Sequence, residues 1–312
     1  MNGLVIIDKP SGKTSHDIVA EVRALLGIKR VGHTGTLDPL ATGVLPICIN
    51  EATKMVPFLE SHSKDYRATL VLGIKTDTLD LDGRIVERCD PRVTPEEVER
   101  VLGEFVGAIE QAPPQYSAVK FHGKPMYHWA RKGIAVAARR RKVEIFALAI
   151  QEMALPYVTF TVSCSKGTYI RSLCADIGDR LGPGACLSAL RRTRSGSFGE
   201  ESALALDGTD PERKQNLLKE RMIRLADTLP EIPSIRVEGP LAKKIQAGNQ
   251  PTVEMMKPYD IPFLARGDMV KILIKGSGLV AIVRALHPFA SLKSLDGRQQ
   301  LFEILRVFSG RN

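Results

Sequence analysis

Acidic residues are missing from one long interval of this chain. None lies between Glu110 and Glu144, although the chain carries 35. The interval holds eight bases: Lys120, Lys124, Arg131, Lys132, Arg139, Arg140, Arg141 and Lys142. Outside it, 36 bases face 35 acids, so nearly all of the +9 net charge sits here. Aromatics are scarce, at 5% of residues, yet Tyr116, Phe121, Tyr127 and the single tryptophan, Trp129, fall in the same interval beside His122 and His128. Bases interleaved with rings suit a polyanion whose unpaired bases can stack. A solvated basic loop is the plainer alternative.

Other absences narrow the class. No apolar run approaches the ~20 residues that a membrane helix needs, so no membrane span is expected. The start, MNGLVIIDKP, has no basic region ahead of a long apolar one and does not read as a signal peptide. The five cysteines, Cys48, Cys89, Cys164, Cys174 and Cys186, are odd in number and form no Cys-x-x-Cys pair. That argues against a zinc ribbon and a disulfide framework. Cys48, Cys164 and Cys174 fall at apolar-periodic positions and read as small core residues. A reducing, cytoplasmic compartment is expected. His33 has no second His or Cys at ligand spacing, so no metal is expected.

What is present is ordinary globular chain: 44% hydrophobic and 25% charged over 312 residues, enough for one large and one smaller domain. Residues 3–7 read as a buried strand. Thr14 and Asp17 have capping-box spacing ahead of a helical face of Ile18, Val19, Val22, Leu25 and Leu26 that stops at Gly27. Residues 44–49 read as a strand and 51–59 as a short helix. Tyr66, Ala68, Leu70 and Leu72 alternate as a half-buried strand. The acidic run 76–83 is a turn, with a return strand at 84–86. ThrProGluGlu (94–97) starts a helix. Residues 142–152 and 157–164 read as a strand pair, and Ile170, Leu173, Cys174, Ile177 and Leu181 as a helical stripe ended by GlyProGly (182–184). A linker is expected at 229–234. A short helix at 240–247 and strands at 269–274, 279–285 and 300–308 follow, the texture of a small β-rich module. The predicted domains are therefore 1–230 and 231–312.

The stretch GlyHisThrGlyThrLeuAspProLeuAlaThrGly (32–43) carries one acid, Asp38. An Asp-Pro turn is the plain reading. Gly32, Gly35 and Gly43 permit tight backbone and close approach of a ligand, so the loop can also hold a carboxylate at a cleft floor. ValIleIleAspLysProSerGlyLysThrSer (5–15) is not a phosphate loop, because Ile7 stands where its first glycine is required. GlyHisThrGly (32–35) fits a KH loop, but a strand follows where KH needs a helix. Arg171, just inside a helix, is either solvated or a clamp on a carboxylate or phosphate. Tyr66 is either core packing or part of a site.

Together these residues resemble the TruB family, the tRNA pseudouridine-55 synthases. The likeness rests on GlyLeuValIleIleAspLysProSerGly (3–12), LysArgValGlyHisThrGlyThrLeuAspProLeuAlaThrGlyValLeuPro (29–46), TyrArgAla (66–68), ThrAspThrLeuAspLeuAspGly (76–83), AlaProProGlnTyrSerAlaValLys (112–120), SerLysGlyThrTyrIleArgSerLeu (165–173) and LeuArgArgThrArgSerGly (190–196). It runs from residue 3 to about 228. The end looks, more loosely, like the family's PUA-type RNA-binding module.

The resemblance implies an α+β fold with a central mixed, mainly antiparallel sheet flanked by helices, then the PUA-like module. It implies isomerisation of a T-loop uridine of tRNA to pseudouridine by base flipping, without cofactor. The catalytic aspartate falls on Asp38, its arginine partner on Arg171 and the base-stacking tyrosine on Tyr66. Tyr169, Leu190 and Lys9 fall at the uridine site, and His33 where a histidine fills the gap left by the flipped base. Residues from about 114 to 142 correspond to a thumb that closes over the T arm. AlaValAlaAlaArgArgArg (135–141) replaces the thumb's usual mixture of acids and bases. A stand-alone monomer with tRNA as its partner is expected. An RNA-guided relative that needs protein partners and a non-catalytic RNA-binding protein are the alternatives. Sugar attack, base addition and proton abstraction by Asp38 all remain open.

Overall fold

Two capping boxes begin helices where local chemistry puts them. Thr14 accepts from the Asp17 amide and Asp17 answers the Thr14 amide, opening the helix Ser15–Leu26; Gly27, at φ 63°, closes it. Thr94 and Glu97 do the same for Pro95–Glu104. Each satisfies amides that the first helical turn leaves unpaired. The computed structural model describes residues 1–309 apart from 61, 137, 207, 209, 275 and 276. Residue 137 of the basic interval and residues 310–312 of the expected second domain thus lie outside the described residues.

The large sheet runs, in spatial order, Ile223–Arg224, Gly3–Lys9, Thr42–Ile49, Ala185–Ser195, Lys64–Leu72, Tyr157–Cys164, Arg141–Ala154 and Gly107–Gln111. Only the pairing of Ala185–Ser195 with Thr42–Ile49 is parallel along this path. The sheet is therefore mixed and mainly antiparallel, and the fold is α+β. Alternation sends Val5 and Ile7 to one face and Leu4 and Ile6 to the other. The first face packs under the helices Ser15–Leu26, Pro95–Glu104 and Ile170–Leu181 through Ile18, Val22, Val101, Leu173 and Ile177. Each such side chain stabilises the fold by about 1.5–3 kcal/mol when fully buried.

The opposite face receives a second unit. Its four strands run Ser234–Val237, Met269–Ile274, Ser277–Ala285 and Phe302–Val307, with the helix Gly239–Gln246 alongside. Leu279, Ile282 and Phe308 share an apolar cluster with Leu4, Ile6, Val44 and Cys48 of the large sheet. Buried Lys271 donates to the Ala226 and Thr228 carbonyls at 3.1 and 2.9 Å, tying the connecting segment to the second unit.

Two differences from the sequence pattern stand out. The segment expected as one short helix at 51–59 is a 3-10 turn, Asn50–Met55, followed by the single helical turn Val56–Leu59. The central strand Ala185–Ser195 has no clean alternation, because Arg191, Arg192 and Arg194 interrupt it. Carboxylates from other segments neutralise two of them: Arg191 pairs with Asp8 and Glu200, and Arg194 with Asp65. Arg192 instead donates to backbone carbonyls.

Candidate active site and its basic rim

The glycine-rich loop emerges where the strand Thr42–Ile49 changes partners. Ile47–Ile49 pair with Val31–His33, whereas Thr42 and Gly43 pair with Arg191 and Arg192. Between these contacts the chain leaves the sheet as the loop 34–41. Leu37 and Ala41 plug it into the core, and Ser15 Oγ both donates to the Leu37 carbonyl at 3.1 Å and accepts from its amide at 2.8 Å. Gly35 sits at φ +83° and Gly43 at φ +98°.

Two buried cations fasten the loop from beneath. Lys9 Nζ donates to the carbonyls of Lys13, Pro10 and Pro39 at 2.5, 2.8 and 3.3 Å. Burial pulls its pKa down to about 8, against the attraction of Asp38 and with help from Arg192. Arg192, fully buried, donates from Nε to the Val44 carbonyl at 2.7 Å and from Nη2 to Gly35 at 3.1 Å. It also hydrogen-bonds the Tyr66 side chain.

Asp38 stands on this support and meets Arg171 from the first turn of the helix Ile170–Leu181. Nε of Arg171 lies 2.9 Å from Oδ2, and Nη2 donates to Oδ1 at 3.1 Å. The same guanidinium donates to the carbonyls of Thr78 and Tyr116 at 2.9 and 2.8 Å and lies 3.6 Å from Asp80. The arginine side chain is 5% exposed and the aspartate 35%, so only the carboxylate is open to a ligand. Burial pushes the Asp80 carboxyl up, while Thr78 and Arg171 oppose the shift.

Asp38 opens into a cavity of about 640 Å³ whose walls include Tyr66, Tyr169, Leu190 and Arg171. Apolar walls around a few directed polar groups are typical of a small-ligand pocket, and this volume can hold a nucleoside. Burial raises the pKa of both tyrosines, so their hydroxyls stay neutral. Lys9 and His33 do not line this cavity. Lys9, expected at the uridine site, directs its ammonium to backbone carbonyls beneath the loop. His33 ends the strand Val31–His33, with the His16 ring edge-on at 6.4 Å, and the buried His33 Nδ1 has no hydrogen-bond partner among the described residues. Burial, then His16 and Arg192, lower its pKa and keep the ring neutral.

The basic interval forms a lobe between Gly107–Gln111 and Arg141–Ala154. It contains the two short strands Lys120–Phe121 and Lys124–Pro125 and the helix Met126–Ala130. Its buried residues include Ser117, Met126 and Val136, and the Gln115 side chain bonds both the amide and the carbonyl of Val136 at 2.9 and 2.8 Å. Trp129 donates to the Phe121 carbonyl at 3.2 Å and meets the Phe121 ring edge-on, so these rings hold the lobe together. All eight bases are exposed. They do not act alike. Arg141 and Lys142 line the cavity with Tyr116 and Tyr127, whereas Arg140 donates to the Glu110 carbonyl at 2.8 Å. Lys120, Lys124, Arg131, Lys132 and Arg139 lie away from the cavity wall.

Residue-type reasoning passed over Lys64, Asp80, Gln111 and Arg192. Asp80 and Arg192 lie inside motifs that carry the family likeness, but no local signal separates them from their charged neighbours. Gln111 has none at all. Among the described residues, no three His, Cys, Asp or Glu side chains converge as a metal site.

Comparison with known proteins agrees with the geometry. The TruB family pseudouridylate synthase N-terminal domain matches residues 23–170, and the tRNA pseudouridylate synthase B C-terminal domain matches 171–220. A tRNA pseudouridine synthase B from Syntrophus aciditrophicus (strain SB) is 49% identical over 311 residues, covering 100% of both chains. One from Geobacter sulfurreducens is 41% identical, covering 99% of this chain and 100% of its own. A solved Cbf5–Nop10–Gar1 complex contains a chain with a TM-score of 0.73 and 28% identity over 98% of this chain and 84% of that one. With Asp38, Arg171 and the pocket residues converging as they do, the chain belongs to the TruB family of pseudouridylate synthases.

Proposed function

We propose that this chain converts uridine 55 in the T loop of tRNA to pseudouridine. One observation carries the reading: Asp38, gripped by Arg171, presents its carboxylate in a pocket walled by Tyr66, Tyr169 and Leu190. The tRNA substrate is supported by the names of full-length relatives at 49% and 41% identity.

The chemistry follows from the layout. A base within a structured loop must leave its stack, at a cost of a few kcal/mol. Stacking on Tyr66 returns about 1–3 kcal/mol. Leu190 and Tyr169 keep water from the base while the glycosidic bond is broken and a carbon–carbon bond made. Asp38 supplies the nucleophile or base, and Arg171 fixes its orientation. His33, beside the loop but outside the pocket, fills the space the base vacates. The bases from Lys120 to Lys142 hold the T arm, with Arg141 and Lys142 nearest the target. We assign residues 1–230 to the catalytic domain and 231–312 to a PUA-like RNA-binding module. The reaction needs no cofactor, and the enzyme works as a cytoplasmic monomer without a protein partner.

The test is to give purified protein an unmodified T-arm stem-loop and assay pseudouridine. Product is expected from the wild type alone, and a loss of at least ~10²-fold in Asp38→Asn. No product from the wild type would sink the function. Full activity in Asp38→Asn would sink the role of Asp38.

A further inference from the structure

Lys64 is a buried cation for which the reaction outlined above has no use. It is 8% exposed and begins the strand Lys64–Leu72. Its backbone pairs with Cys164 on one side and Ser195 on the other, so its stem rises from the middle of the sheet. Its ammonium donates to the carbonyls of Glu60 and His62 at 3.3 and 3.1 Å. An ammonium has three N–H groups, so one remains. Among the described residues, Lys64 has no ion-pair partner. Burial, then Arg192, lower its pKa; Cys164 and the Glu60 carboxylate oppose the shift, and Lys166 adds to it. Lys64 and Lys166 both line the cavity that holds Asp38.

An unneutralised buried ammonium is costly unless a ligand supplies the negative charge. Here the geometry indicates which ligand. Lys64 and Tyr66 are two residues apart on one strand and so share a face, about 6–7 Å apart. That is comparable to the reach from a nucleobase to its own phosphate. The backbone of Gly35 lies directly over the lysine: a Cβ there would stand 3.3 Å from Lys64 Cε. The loop backbone therefore packs closely on one side of the lysine, and its opening to a ligand is through the cavity it lines with Asp38 and Lys166. Arg192 adds positive field from behind, but its own donors already serve Val44, Gly35 and Tyr66.

We propose that Lys64, with Lys166 at the rim, binds a phosphodiester flanking the flipped nucleotide and so anchors the backbone while the base sits on Tyr66. This rests on the RNA-modifying reading above. The test uses T-arm stem-loops with one phosphate beside the target uridine replaced by a neutral methylphosphonate, on the 5′ side in one and the 3′ side in another. Wild-type protein should bind one of these about 10-fold more weakly than the unmodified stem-loop, the scale of one charge-assisted contact. Lys64→Met should lose a similar factor on the unmodified stem-loop, with a salt slope shallower by about 0.7–1. It should lose nothing further with the sensitive methylphosphonate. Wild-type indifference to both modifications overturns the contact, and this arm does not depend on how the variant folds. Additive losses overturn it as well. Turnover of the unmodified stem-loop by wild type is scored separately: its absence sinks the proposed reaction, whereas absent coupling sinks only the phosphate contact.

Discussion

Gln111 holds the backbone of Tyr169 at both atoms. Its Nε2 donates to the Tyr169 carbonyl at 3.0 Å and its Oε1 accepts from the amide at 2.7 Å. Gln111 is 2% exposed and closes the strand that precedes the basic lobe. One amide side chain thus fixes a pocket tyrosine against the root of the lobe.

Removing that amide strands two backbone groups. Gln111→Leu should lower stability by about 1–3 kcal/mol, the cost of an unsatisfied buried polar group. It should raise KM for a T-arm stem-loop as Tyr169 loosens. Urea unfolding and steady-state kinetics check both, and an unchanged KM would separate Tyr169 from Gln111.

Gly43 should be far less tolerant than Gly12, although both have positive φ. At Gly43 a Cβ would stand 2.3 Å from the Arg192 carbonyl oxygen, whereas at Gly12 it would meet nothing within 4 Å. Gly12→Ala should therefore cost only backbone strain, about 1 kcal/mol, at the low end of the usual range. Gly43→Ala adds a clash within the parallel strand contact and should cost clearly more. Thermal melts of the two variants side by side decide it; equal losses would mean the contact is looser than described.

Lys9 gives stability a pH dependence of definite sign. Its folded pKa, about 8, lies below the ordinary 10.5. Between those values the unfolded chain binds more protons than the folded one, so unfolding free energy contributed by this group rises with pH. The burden of the buried charge is fully present below pH 8 and is relieved as pH climbs towards 10.5. Lys9→Met should be less stable at neutral pH, having lost three hydrogen bonds, and should lack this rising component. Urea melts across pH 7.5 to about 10.5 would show wild type gaining on the variant, and parallel curves would refute it.

The three consecutive arginines should prove unequal. Arg141 lines the cavity, whereas Arg140 is turned to the Glu110 carbonyl. Arg141→Ala should weaken binding of a T-arm stem-loop and flatten its salt dependence by about one phosphate contact. Arg140→Ala should do less to binding. Replacing Arg139, Arg140 and Arg141 together by alanine should cost more than Arg141→Ala alone. Binding isotherms at several salt concentrations test the order, and an unchanged slope in the triple variant would return this stretch to solvated surface.

Local chemistry was decisive for the helix ends and the alternating strands. Thr14 with Asp17, Thr94 with Glu97, Gly27 beyond the first helix and the alternation through Phe160 act over a few residues, so they can be read in order along the chain. The charge imbalance of 111–143 is likewise a property of composition. The long motifs around Asp38, Tyr66 and Arg171 mark the family in the sequence alone. Tertiary structure alone decided what long-range neutralisation controls. Asp38 and Arg171 are 133 positions apart, and only folding makes them one ion pair. Arginines at 191, 192 and 194 make a poor strand by pattern, yet partners from distant segments let them form the sheet's centre. Lys9, placed at the uridine site by the resemblance, braces the loop through backbone carbonyls, and the burial of Lys64 has no sign in the sequence. The energy of a buried charge depends on which groups surround it, and those neighbours are set by the fold rather than by adjacent residues.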